Sequence, residues 1–196
     1  TPLDHWRAAM AEEVLPLLDA FPGRLLGAIG IHPPDIEESL NRIKTYGEHK
    51  AFVGVKLMPT VGYYPDEERF RPIFDEIARR KWIVMSHCGW CSKGVKPVDL
   101  PQSTRFTDPY HFEPLARVYP DIDFILAHAG GRTFFQRAWE LTRYHENVYI
   151  DTCPGQGTWS LKHGGEWYGV LNWKNVLFGT DILIGAPEAA HGEDCS

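Results

Sequence analysis

Six short apolar runs constrain this chain more than any other feature. "LLGAIGI" (Leu25 to Ile31), "FVGVKLM" (Phe52 to Met58), "WIVMS" (Trp82 to Ser86), "IDFILA" (Ile122 to Ala127), "NVYID" (Asn147 to Asp151) and "NVLFG" (Asn175 to Gly179) are nearly continuous in Val, Ile, Leu and Phe. Strict alternation of apolar and polar residues would mark strands with one wet face. Continuous runs of this length mark strands covered on both faces, as in parallel sheets. Between most of them lie segments with helical spacing and helical start signals. Pro34-Asp35 opens "IEESLNRIKTY", Pro65-Asp66 opens "EERFRPIFDEIARR", and "GGRTFFQRAWELTRYH" follows the fourth run. Alternating strands and helices predict an α/β class with a parallel sheet. The 196 residues, 43% of them apolar and 13% aromatic, suffice for one domain spanning residues 1–196 with a single core.

An open doubly wound sheet and a closed (β/α)8 barrel both satisfy this pattern, and the run ends choose between them. His32, His87, His128, Asp151 and Asp181 fall at or just past the C-terminal ends of successive runs, and Lys56 lies near the end of the second. A (β/α)8 TIM-type barrel builds its active site from side chains at those ends, drawn from several strands. A dinucleotide-binding sheet would concentrate its signal in one Gly-rich turn, and no G-x-G-x-x-G follows any run. Two long segments, Trp90 to His111 and Pro154 to Tyr168, also follow strands, where loops act as lids or substrate walls. Trp159 and Trp167 are candidate pocket walls in the second; packing of that loop by surface aromatics is the alternative.

The formal charge of −6 carries no long basic stretch, which argues against nucleic acid as a partner. No apolar run reaches membrane-spanning length, and "TPLDHWRAAMAEEV" reads as a charged amphipathic helix, not a signal peptide; a cytoplasmic location is expected. Cys88 and Cys91 form a C-x-x-C within "SHCGWC". A redox pair of this kind starts a helix, but "SKGVKPVDLPQS" follows with two prolines and no helical period. A structural zinc site needs two more soft ligands, and Cys153 and Cys195 do not form a second C-x-x-C. His87 is therefore the better candidate for chemistry, with Cys88 and Trp90 lining the rim.

Imidazole and carboxylate are the usual ligands of catalytic zinc and similar ions. Singly, His87, His128 or Asp181 is more simply a hydrogen-bonded structural residue or a helix cap. Three of them, from three strands on one rim, point to one divalent metal ion. Zinc is favoured, and manganese and iron accept the same ligands.

The blocks "GVKLMPTVGYYPDEERFRPIFDEIARRKWIVMSHCG", "YPDIDFILAHAGG", "NVYIDT" and "NVLFGTDIL" resemble the strand-end blocks of the metal-dependent amidohydrolase superfamily, in particular amidohydrolase family 2, which includes hydrolases and metal-dependent aromatic acid decarboxylases. The resemblance runs from about Leu25 to Ile184. It implies that His87 is a metal ligand on the fifth barrel strand. His128, on the sixth, would contact the metal site and act as general base or acid. Asp181, on the eighth, would be a metal ligand that also accepts a proton. Lys56 would meet a substrate carboxylate or, as in some relatives, be modified into a metal bridge, and His32 would be a pocket residue.

One departure matters. The family's first strand carries an H-x-H pair of metal ligands, and no H-x-H occurs in this sequence. The chain thus looks like strands three to eight of a barrel, without its first two strands or its closing helices. The implied function is a metal-dependent hydrolase acting on a small, anionic organic substrate. Alternatives are a non-oxidative decarboxylase of an aromatic or unsaturated carboxylic acid, and a non-catalytic fragment completed by a homo-oligomer or another chain. A TatD-like nuclease shares "GIHP" at Gly30 to Pro33 but places an acidic residue where this chain has Lys56.

Overall fold

The computed structural model describes residues 11–90, 103–153 and 172–181. Within them six strands pair side by side in chain order: β1 (Gly27–Gly30), β2 (Phe52–Leu57), β3 (Ile83–His87), β4 (Phe124–Ala127), β5 (Val148–Asp151) and β6 (Val176–Leu177). Every neighbouring pair is parallel. The helices are α1 (Ala11–Ala20), α2 (Ile36–Tyr46), α3 (Arg71–Arg80), α4 (Glu113–Val118) and α5 (Gly131–Tyr144). A sheet whose order follows the chain without reversal walks around a barrel wall and has no switch point in its middle. Among the described residues β6 does not pair with β1. The described residues form a six-stranded arc of a barrel, as the strand ends suggested.

Local chemistry sets the helix limits. The Asp35 side chain accepts from the Glu38 backbone N–H at 3.1 Å, capping α2, whose first turn carries Glu37 and Glu38 and whose last carries Lys44. Pro72 occupies the first turn of α3, where a missing N–H costs nothing. The helical pattern beginning at Glu67 accordingly divides into a 3-10 turn at Glu68–Phe70 and then α3. The helices bury Ile43, Ile73, Phe74, Ile77, Phe135 and Ala138 against Ile29, Val55, Val84, Phe124, Leu126, Val148 and Ile150 of the sheet. Each such side chain contributes about 1.5–3 kcal/mol by leaving water.

Two details refine the expectations. Of the stretch from Trp90 to His111, residues 91–102 lie outside the described residues. Asp108 caps a 3-10 turn at Pro109–Phe112 that runs into α4, burying Phe112, Leu115 and Ala116. The strands are also shorter than the runs, because Leu25 and Leu26 at one edge and Phe178 at the other are exposed. Of the stretch read as an N-terminal helix, residues 11–14 fall in α1, and residues 1–10 lie outside the described residues. At the N-terminal ends of the strands, Asn147 Nδ2 lies 3.0–3.2 Å from the carbonyls of Ala116, Tyr119 and Ile122. Asn175 Nδ2 likewise donates to the carbonyls of Glu146 and Val148. These amides fasten one end of the sheet and leave the other to the chemistry.

Candidate active site

His87 closes β3, and His128 follows β4 directly. The register pairs His87 with Ala127, so the two histidines project from adjacent strand ends. Both are buried, and Nε2 of His128 lies 3.1 Å from Nδ1 of His87 with the rings edge to face. Nδ1 of His128 lies 3.0 Å from the carbonyl oxygen of Cys153. A carbonyl only accepts, which assigns the His128 proton to Nδ1 and the lone pair to Nε2. With Nε2 of His128 as the acceptor, the contact is a hydrogen bond donated by Nδ1 of His87.

The backbone that arranges this contact is unusual. His128, Ala129, Gly130 and Gly131 all have positive φ, at 62°, 49°, 74° and 59°. Non-glycine residues enter that region at a cost, and they stay there only when the surroundings hold them. Asp151, the last residue of β5, does so: its Oδ1 accepts from the His128 backbone N–H at 2.9 Å. The same oxygen accepts from the Cys153 N–H at 3.2 Å and from the Cys153 thiol at 2.8 Å. From the other side the loop after His87 presses in. Gly89 has φ 101°, and a Cβ there would sit 2.8 Å from the Gly130 carbonyl oxygen. Trp90, next along, donates its indole N–H to Thr133 Oγ1 at 2.9 Å and so ties this loop to α5.

Burial, first, and then the charges of His128 and Lys56 push the His87 imidazole down to about 3. His87 is therefore neutral at physiological pH and suited to donating a lone pair, not to acting as an acid. Burial lowers the pKa of Lys56, whereas Asp151 and, more weakly, Cys88 and Asp181 favour its charge. Burial pushes the Cys88 thiol up to about 12, so it is not a reactive thiolate, in keeping with the rejection of a redox pair. Cys91 lies outside the described residues.

The remaining candidates divide. Lys56, on β2, carries charge felt at His87 and belongs to the same centre. The His32 ring meets Tyr63 edge to face, 5.8 Å between centroids. Asp181 is exposed, with φ 52°, and its charge reaches Lys56 and Cys153. Trp159 and Trp167 lie outside the described residues. Asp151 and Cys153 are the residues that sequence reasoning passed over. Asp151 shows the same signal as His87, a polar residue closing an apolar run, but two of its partners are backbone N–H groups, which no residue pattern reveals.

Two imidazoles and a carboxylate are donors of the kind divalent cations take, but among the described residues Asp181 does not gather with His87 and His128 into a group of three ligand atoms. The trio His128, Asp151 and Cys153 does cluster, its ligand atoms lying within 4.8 Å of one another. In the structure Oδ1 of Asp151 accepts three hydrogen bonds, from the N–H groups of His128 and Cys153 and from the Cys153 thiol, so the trio is braced internally.

Parallel strands delivering histidines and a lysine to one rim define the active-site end of a β/α-barrel enzyme. A family model described as Amidohydrolase matches residues 6–194, and the chain belongs to that family, amidohydrolase family 2. No curated protein matches it. Among solved structures it is similar to an uncharacterised TIM-barrel protein from Bordetella bronchiseptica, at TM-score 0.64 and 17% identity over 87% of this chain and 58% of that one. It is also similar to a 5-carboxyvanillate decarboxylase from Novosphingobium aromaticivorans in complex with manganese and 4-hydroxy-3-methoxy-5-nitrobenzoic acid, at TM-score 0.60 and 18% identity over 92% and 60%. A third is a 4-oxalomesaconate hydratase from Rhodopseudomonas palustris, at TM-score 0.57 and 21% identity over 93% and 59%. The chain spans about three fifths of the length of these structures. At such identities the likeness establishes the barrel fold.

Proposed function

We propose that this chain carries the catalytic rim of a metal-dependent hydrolase acting on a small, anionic organic substrate. The observation that carries the reading is the buried His87–His128 contact beside Lys56, at the ends of parallel strands. His87, held neutral, would offer a ring nitrogen to a divalent ion, and Asp181 would offer a carboxylate. When bound, such an ion polarises a carbonyl or lowers the pKa of a water molecule. His128, with Nδ1–H fixed on the Cys153 carbonyl, has Nε2 as its basic nitrogen; in the structure that nitrogen is taken up by His87, and it would take a proton and later return it once His87 turns to the ion. Lys56 supplies positive charge for a substrate carboxylate. Zinc suits these donors, and manganese or iron would serve.

A second reading, non-oxidative decarboxylation of an aromatic or unsaturated acid, is favoured by the manganese-bound 5-carboxyvanillate decarboxylase among the similar structures. In it Lys56 and the ion site would hold carboxylate and neighbouring oxygen, and His128 would protonate the carbon that loses carbon dioxide. A panel of ring carboxylates, amides and lactones assayed with zinc or manganese separates the two by product. Under either, His128→Ala and Asp181→Asn should lower kcat by about 10²–10⁴-fold; wild-type rates in both variants would sink the assignment.

We further propose that the two sheet edges are completed by a partner, another copy or a complementing chain. Leu26, beside β1, is 70% exposed and Phe178, beside β6, is 88% exposed, and unpaired edges flanked by apolar side chains favour association. Light scattering that returned only a monodisperse, well-folded monomer would refute this.

A further inference from the structure

We propose that Asp151 is a positioning residue whose carboxylate oxygen fixes His128 as the Nδ1–H tautomer, with Nε2 turned toward His87. It acts through the backbone. One buried oxygen accepts the N–H of His128 and the N–H of Cys153, and so sets the distance between the β4 and β5 strand ends. The Cys153 carbonyl placed in this way is the acceptor of His128 Nδ1. The Cys153 thiol donates to the same oxygen and closes the brace. Without the acceptor, the positive φ of His128 and Ala129 loses the hydrogen bond that opposes its relaxation, and the imidazole loses the fixed carbonyl that selects its tautomer. The catalytic consequence rests on the reading of His128 as the proton-transferring group; the tautomer itself does not.

The test is the ¹⁵N spectrum of the histidine rings in the full chain, with His128 assigned from the signals that vanish in His128→Ala. Wild-type protein should show a pyrrole-type Nδ1 and a pyridine-type Nε2. Asp151→Asn keeps a carbonyl oxygen in place and should keep that tautomer. Asp151→Ala should give a mixture of tautomers and a kcat lower by about 10–100-fold, with KM changed far less. A single Nδ1–H tautomer in folded Asp151→Ala would overturn the inference. Should Asp151→Ala fail to fold, the other two proteins decide: an Nε2–H tautomer in wild type, or a scrambled one in folded Asp151→Asn, overturns it. The spectra need no turnover, so the absence of activity on every substrate would count against the proposed function and leave this inference to be judged on its own.

Discussion

His128 and Asp181 occupy the same kind of backbone and very different surroundings. Each follows a parallel strand, and each has a positive φ, 62° and 52°. His128 is buried at the end of β4, all four of whose residues are buried, and it is held by Asp151 and by the Cys153 carbonyl. Asp181 follows the two-residue, half-buried strand β6, is exposed, and its carboxylate makes no hydrogen bond among the described residues. One strand end is rigid before any ligand arrives. The other has a residue of the right chemistry whose position is set by little in the described structure, so a bound ion would have most to do there. Preorganisation in this rim is concentrated around β4, and the expected effects of mutation follow that gradient.

The largest effect should come from the centre. Phe124, in β4, is fully buried against Phe74 and Phe112. Phe124→Ala should cost about 3–5 kcal/mol in urea unfolding, the transfer and cavity contributions together. A loss below about 1 kcal/mol would mean that β4 is not the rigid strand its burial indicates. Gly89→Ala comes next. It places a side chain at φ 101° and sets Cβ 2.8 Å from a backbone oxygen that has no easy path of retreat. The expected loss is on the order of 3 kcal/mol. Since the strain falls on the contact between the two histidine loops, activity should drop further than the loss of folded protein explains.

The fold was readable in this chain where burial on both faces leaves a mark in the residues themselves. Runs such as "FILA" can be nothing but interior, and α2 announces itself with Asp35 and its two glutamates. Helix α4 was not readable, because six residues with Pro114 in the first turn show less than two helical periods. The individual site residues were readable as polar punctuation at the run ends. Their contact was not, for it depends on four successive positive φ values and on the approach of Gly89 to Gly130, and only the glycines hint at either. Asp151 was visible as a strand-end acid, but no residue pattern discloses that it holds two N–H groups of the backbone.

The rigid side also makes a prediction about pH, to be tested on protein freed of divalent ions. His87 has a pKa of about 3 when folded against an ordinary value of 6.5. Above 6.5 neither state binds a proton at this residue. Between 6.5 and about 3 the unfolded chain takes up a proton that the folded site refuses. Stability is therefore full above 6.5 and falls with decreasing pH, at roughly 1.4 kcal/mol per unit from this one group. Urea midpoints measured from about pH 7 down to pH 4 should fall less steeply in His87→Gln, which cannot be protonated. Equal slopes would show that His87 takes up its proton in the folded protein as readily as in the unfolded chain, and the argument that burial keeps it neutral would fail.

The smallest effect on stability belongs to the open edge. Phe178→Ala should change the unfolding free energy of the monomer by no more than about 0.5 kcal/mol, because an aromatic ring that is 88% exposed gains almost nothing from folding. The same residue on β4 would behave like Phe124, so the pair measures how differently the two strands are embedded. Assembly gives this substitution its second reading. If a partner covers the β6 edge, Phe178→Asp places a charge in that contact and should shift the mass seen by light scattering toward the monomer, with Phe124→Ala as the control for general destabilisation. A mass unchanged in Phe178→Asp would remove β6 from the proposed interface and leave Leu26, at the opposite edge, as the side chain to test next.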